Sequence, residues 1–448
     1  MSDCNILFFG AVGDGITKNT KAIQTAIDTC ANSGGGLVTV PPGVFLSGTI
    51  YLRSGVELHL SSTKSILRAS PDFEDYCCLE DFPQNRISIP EKMNGGHFIV
   101  ALETDGTSIT GLGSIEGNGH SFFLEDKLEF TWLDTYCYWP KGFTIVKNEE
   151  KQRPGQMVMF AECTNLLIKD VTFKDSPYWT LFIYGCENVI IHSIKIFNPP
   201  TFLNSDGIDI DLSRNVTVSD CIIETGDDAL TLRGDPRSLK NKDRITENVT
   251  VSNCVLCSGG ANAIRVGVGD GEVRNCVLSN LVFHDSVGGI HIQSKYSNTY
   301  KGEGTTISNI LFQNITARNV TVPFMLNSGF KASASIRNIT LADCLFELKH
   351  TSGVVGNGFA KVENITLRNV DFAVTGRTPG IDNHDVDCTE YGTHSPSLDC
   401  ILFFAHADVR LDNVRLHFPT PPDKNWKYGY VKGPMASLDI SSDCKLDL

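Results

Sequence analysis

Several large classes are excluded by what this chain lacks. No run of 18 apolar residues occurs, and the apolar stretch near the start, Ile6 to Phe9, is four residues long, so no membrane-spanning helix is expected. The opening MSDCNILFFGAVGDG has no charged start, long apolar stretch or small-residue cleavage site. It does not read as a secretory signal, and a cytoplasmic location is expected unless a leader has been removed. Helical periodicity is confined to one segment near the start, which argues against helical repeats. No basic strip interleaved with aromatics is present, and 38 Lys and Arg against 52 Asp and Glu leave a net charge of −14. That field repels nucleic acid, anionic membranes and polyanionic polysaccharides, so a polyanionic substrate would need a locally basic cleft. The glycine-rich turn Gly10 to Gly15 lacks the Lys-Ser/Thr ending of a phosphate loop, and no cofactor is expected. Cysteine, by contrast, is plentiful: fifteen, an odd number, read as reduced and buried rather than as a disulfide framework.

What is present is punctuation and repetition. Ile6–Phe9 reads as a short strand. Asn19 or Thr20 starts a helix whose apolar positions Ala22, Ile23, Ala26, Ile27 and Cys30 follow helical spacing, and Gly34, Gly35 and Gly36 end it. Strands are expected at Leu37–Val40, Val44–Phe45, Thr49–Leu52 and Val56–Leu60. From about residue 160 one pattern recurs, starting at Asn165, Asn188, Asn215, Asn248, Asn275, Asn309, Asn338 and Asn364. Each unit is an Asn, two short alternating strands and a central polar pair. Period-2 alternation inside a recurrence of twenty to thirty-odd residues predicts a solenoid of coils, each with about three short strands. The fold expected is all-β: a single-stranded, right-handed parallel β-helix in which 448 residues form one domain. Its parts are an N-terminal cap and first coils (1–60), loop insertions (71–97 and 120–156), main coils (160–418) and a C-terminal cap (419–448). Cys221, Cys254 and Cys344, each six residues after its Asn, predict a stack of buried thiols. The recurrent Asn is expected to stack at a turn, its amide satisfying backbone groups. The helix should cover the open solenoid end. Leu411–Leu416 reads as a last coil, with Trp426 and Tyr428 over it. Trp132, Tyr136, Tyr138 and Trp139 in the second insertion suit either stacking on sugars or loop packing. His384, Asp385, Asp387, Cys388 and His394 match no standard metal spacing.

The chemistry concentrates between Asn204 and Arg233. Asp206 precedes Asp227 and Asp228 by one short coil, so the three acids become vertical neighbours about 4.8 Å apart in backbone. Three carboxylates so close cannot all ionise freely, and at least one pKa should rise. A protonated carboxyl beside an ionised one is the equipment for glycosidic cleavage. An acidic turn or a calcium site is the alternative.

These residues resemble glycoside hydrolase family 28, the polygalacturonase family of parallel β-helices. The resemblance runs through the FGAVGDG start with its KNT and AIQ-x-AID, GSIEGNG at 113–119, DSPYW at 175–179, NSDGID at 204–209 and GDDALTLR at 226–233. The start is shared by many β-helix proteins; the Asn-Ser-Asp-Gly-Ile-Asp and Gly-Asp-Asp pairing is far more specific. The resemblance implies Asp227 as general acid, Asp206 and Asp228 holding and activating water with inversion, and Asn204 supporting the cluster. It also places Arg233 where bacterial members often have a substrate-contacting Lys. Two departures stand out. The family's Gly-His-Gly is replaced in Ser258–Gly267, where Ala261 or Asn262 takes the histidine's place. The Arg-Ile-Lys that grips galacturonate becomes His291 and Gln293 in Gly289–Gln293. Either the subsite takes another sugar through Asn262, Arg265, His291 and Gln293, or Arg265 grips a carboxylate from a shifted position. Strand alternation leaves open whether Arg265 faces the groove or a neighbouring acid. His291 should face outward, between two inward isoleucines.

An inverting glycoside hydrolase on pectin-type oligo- or polysaccharides is the function expected, polygalacturonase-like and exo-acting on short oligosaccharides, or acting on rhamnogalacturonan or a non-uronate sugar. A calcium-dependent lyase on the same fold and a non-catalytic carbohydrate-binding β-helix are the alternatives. The partner expected is a carbohydrate, with no nucleic acid, no membrane and no metal.

Overall fold

The computed structural model describes residues 2–89, 93–124, 145–146, 153–295, 301–329, 331–377 and 399–448. They gather into two compact units. The first holds the described residues up to Asp227 together with Pro236–Arg244, and the second holds Asp228–Asp235 and those from Ile245 to Leu448. Both are built as right-handed parallel β-helix, all-β apart from one α-helix and short 3-10 turns among the described residues.

In the first unit a coil consists of strands Leu181–Tyr184, Glu187–His192 and Lys195–Phe197. Each pairs in parallel with its counterpart one coil earlier, Val158–Ala161, Thr164–Lys169 and Thr172–Lys174. Each also pairs one coil later, with Ile208–Asp211, Arg214–Ser219 and Ile222–Thr225. The alternation sends Val189, Ile191, Ile194 and Ile196 inward, all at most 1% exposed. Each such side chain contributes roughly 1.5–3 kcal/mol by leaving water. Stacking like over like puts that gain in every coil.

The repeat asparagines stack at their turns as expected, but the amides are satisfied along the stack. Asn165, Asn188 and Asn215 hold φ between 54° and 57°, the left-handed region that Asn tolerates. Their amides bond to one another rather than to backbone: Nδ2 of Asn215 donates to Oδ1 of Asn188 (3.0 Å), whose Nδ2 donates to Asn165 (3.2 Å). Asn165 in turn donates to the Asp105 carboxylate at 2.7 Å. The second unit repeats the device from Asn364 through Asn338 and Asn309 to Asn275. It adds another, unanticipated, line from Asn314 to Asn280 to Asn253.

Helix Thr20–Asn32 buries Ile23, Ala26, Ile27 and Cys30 against the first strands, the capping role expected of it. Asn19 stands at its N-cap position, but its carboxamide is spent on the preceding loop, accepting from Val12 and donating to Val12, Thr17 and Leu46 carbonyls. Ile6–Phe9 is a 3-10 turn rather than a strand. Asn5 accepts the Leu7 N–H and Gly10 takes φ 89°, so both ends are capped and the strand lies just before, at Ser2–Asn5.

In the second unit whole coils read as near-continuous strands, Glu272–Lys295 on Thr306–Gly329 and Ile336–Leu348 on Val362–Val374. Leu411–Leu416 is not the final coil, because Asp408–His417 pairs onward with Ser437–Ile440. Trp426 is 5% exposed and donates to Gly376 O at 3.3 Å. Tyr428 is instead an exposed residue opening a strand. Cys221, Cys254 and Cys344 are buried, and no described cysteine is bonded to another. Among the described residues no helix is long and apolar enough to cross a membrane.

Candidate active site

In the first unit Asp206 sits on the turn before strand Ile208–Asp211, and Asp227 lies just past the end of Ile222–Thr225. Carboxylate oxygens of the two come within 4.8 Å. Asp206 is 4% exposed and Asp227 half-buried. The two turns are tied together. Gly226 N–H donates to Ser205 Oγ (3.0 Å), and that hydroxyl donates to Phe202 O (2.9 Å). Only glycine fits beside it, since a Cβ at 226 would stand 2.3 Å from Phe202 O. The close approach that excludes a side chain is what brings Asp227 to Asp206.

Asn204, two residues before Asp206, is held in the left-handed region at φ 56°. Its Oδ1 accepts from Nη2 of Arg153 at 2.6 Å. Arg153 is 3% exposed and its guanidinium lies over the Tyr178 ring (4.8 Å) and the Phe123 ring (5.3 Å). Its Nη1 donates to the carbonyls of Pro177 (2.9 Å) and Leu203 (2.5 Å). Burial pushes the guanidinium down to about 10, while Tyr178, Asp227 and Asp206 pull it the other way. Sequence reasoning missed this residue, and no periodic or motif signal marks it. Nearby, burial pushes Asp175 up to about 6 against the influence of His120, whose Nε2 lies 3.5 Å from it.

Asp228 is the next residue after Asp227 and belongs to the second unit, where it is 4% exposed. Its Oδ1 accepts from the backbone N–H (3.0 Å) and Nδ2 (2.7 Å) of Asn262. Its Oδ2 accepts from Nε of Arg265 in a buried ion pair. Arg265 therefore turns to the neighbouring acid, and its Nη1 reaches Gln293 Oε1 at 3.2 Å. Thus Asp228, Asn262, Arg265 and Gln293 form one hydrogen-bonded group. His291 is in register with Arg265 on the adjacent strand. Ile290 and Ile292 are in the core, and His291 is covered too, 8% exposed. Arg233 lies in strand Leu230–Gly234, 6% exposed, its carbonyl accepting from Thr246 Oγ1 at 2.5 Å. Trp132, Tyr136, Tyr138, Trp139, His384, Asp385, Asp387, Cys388 and His394 lie outside the described residues.

Chemically, the second unit holds Asp228 buried, hydrogen-bonded and paired with Arg265, while in the first unit Asp206 and Asp227 act electrostatically on the buried Arg153. Hard-cation binding needs six or more oxygens. The Arg265 cation on Asp228 disfavours a calcium ion there.

The family model of glycosyl hydrolases family 28 matches residues 30–389. A probable polygalacturonase of Arabidopsis thaliana is 27% identical over 73% of this chain, a match spanning 61% of that protein, less than two thirds of its length. An exo-poly-α-D-galacturonosidase of Dickeya chrysanthemi is 26% identical over 96% of this chain and 73% of its own. The exopolygalacturonase structure of Thermotoga maritima superposes with a TM-score of 0.72 at 23% identity, covering 93% of this chain and 92% of that one.

Proposed function

Because the chain belongs to glycosyl hydrolases family 28, we propose that it is an inverting glycoside hydrolase cleaving glycosidic bonds in pectin-type oligo- or polysaccharides. The observation that carries this is the buried approach of Asp206 to Asp227 within 4.8 Å, with Asp228 next in the chain. Asp227, the most exposed of the three, protonates the leaving oxygen, while Asp206 and Asp228 hold and activate the attacking water. Asp228 has one oxygen filled by two Asn262 donors and the other bonded to Arg265. Asn204 and Arg233 contribute polar contacts to the substrate.

Arg265 is committed to Asp228 and Gln293. This supports a subsite in which Arg265 is held by Asp228 and the sugar meets Asn262, Arg265, His291 and Gln293 as one polar set, and so a sugar other than an unmodified galacturonate at that position. Exo action is the mode proposed; two of the similar proteins above carry it in their names.

The test is a panel of pectic and neutral oligosaccharides with NMR of the first anomer released. Inverting pairs usually stand about 6.5–9.5 Å apart and retaining pairs about 5–5.5 Å, and the Asp206–Asp227 approach is short. Inversion therefore requires that the water sit to one side of the pair, and a retained anomer refutes it. Asp227→Asn should cut turnover by about 10²–10⁴-fold with the melting temperature kept. Turnover near the wild-type rate removes Asp227 as the acid. Loss of activity in chelator, with an ultraviolet-absorbing unsaturated end, identifies a lyase instead.

A further inference from the structure

We propose that Arg153 is a positioning residue of this site, acting through the Asn204 carboxamide; the proposal rests on the hydrolase reading above. A guanidinium can only donate. The Asn204 atom 2.6 Å from Nη2 is therefore the oxygen, and the amide's NH₂ is turned away from Arg153. Arg153 thus decides which face of Asn204 is offered beside Asp206: two donors and no acceptor. The same guanidinium grips the carbonyl of Leu203, the residue that leads into the left-handed turn at Asn204. Its guanidinium also lies over the rings of Tyr178 and Phe123. Two independent anchors on consecutive residues leave that turn little freedom.

Arg153→Lys keeps the charge and loses the fork that holds Asn204 and Leu203. The readout independent of substrate is the side-chain NH₂ signal of Asn204 in ¹H–¹⁵N NMR, assigned with Asn204→Ala; it should move in Arg153→Lys, and an unmoved signal in the folded variant overturns the orienting role. In kinetics Arg153→Lys should lose about 10-fold in kcat/KM, matching Asn204→Ala, and the double variant should lose no more than either single because both remove one interaction. Thermal melts check folding; wild-type kinetics in folded Arg153→Lys, or losses that add in the double, overturn the proposal. If the wild-type protein cleaves no sugar, the hydrolase reading fails, while the Asn204 signal still decides whether Arg153 orients that amide.

Discussion

Replacing Arg265 with methionine tests how the second half of the site is held. Arg265 and Asp228 side chains are 12% and 6% exposed, so the pair is buried. Removing one partner of a buried pair costs about 3–5 kcal/mol, largely because the other charge is stranded. Here the stranded carboxylate keeps two Asn262 donors on Oδ1, each worth about 1 kcal/mol, and methionine fills similar volume. The loss should fall at the low end, about 3 kcal/mol. Adding Asp228→Asn removes the stranded charge and should return about 2 kcal/mol of it, since neutral replacements of a whole buried pair are often tolerated. Urea denaturation of the four proteins closes the cycle, followed by circular dichroism. Arg265→Met within 0.5 kcal/mol of wild type, or singles that simply add in the double, would refute the ion-pair account. If Arg265 instead gripped a uronate, the variant would raise KM on uronates at unchanged stability.

Two further outcomes follow from buried polar groups. His97 is fully buried, with Nδ1 2.7 Å from Gln156 O and Nε2 2.8 Å from Asn85 Oδ1; both oxygens only accept, so the neutral ring donates to one of them, and burial pushes it from 6.5 down to about 4 against the pull of the Gln156 bond. Between those values the unfolded chain binds the proton and the folded one does not. Stability from this residue is therefore present above pH 6.5 and is lost as pH falls towards 4, by about 3 kcal/mol at most. Melting temperatures of wild type and His97→Gln between pH 7 and 4.5 should converge at the acid end; parallel curves would refute this. Asn338 holds φ 56° and both donates and accepts in its amide line. Alanine loses the bonds and adds backbone strain of about 1–2 kcal/mol, whereas glycine loses only the bonds. Asn338→Gly should therefore melt higher than Asn338→Ala, the reverse of their usual order in regular structure.

The coils were legible because each one must reverse direction through a left-handed residue, and asparagine at that point leaves a periodic mark from Asn165 to Asn364. The acids were legible for a related reason: Asp206 and the Asp227–Asp228 pair each come just before a strand, Ile208–Asp211 and Leu230–Gly234. Arg153 was not. It lies outside the repeat, and its partners Pro177, Leu203 and Asn204 are 24, 50 and 51 residues away, so nothing local announces them. The direction of Arg265 was hidden as well, because alternation sets the face of a strand residue but not how a long side chain leans along it. Ile6–Phe9 misled because an apolar run reads as a strand, whereas Asn5 and Gly10 close it into a turn.

The asparagine lines have a consequence for how such a chain changes length. Every internal member is donor to one neighbour and acceptor from the other, so Asn338 could meet Asn275 with the same complementarity it shows toward Asn309. Deleting or duplicating one whole coil therefore conserves the bonding stoichiometry, and copy number becomes a neutral variable along that line. Asp105 is different: a carboxylate accepts from Asn165 and Thr164 and has nothing to hand on. It terminates the series as a chain stopper ends a polymer, giving the stack a direction as well as a repeat.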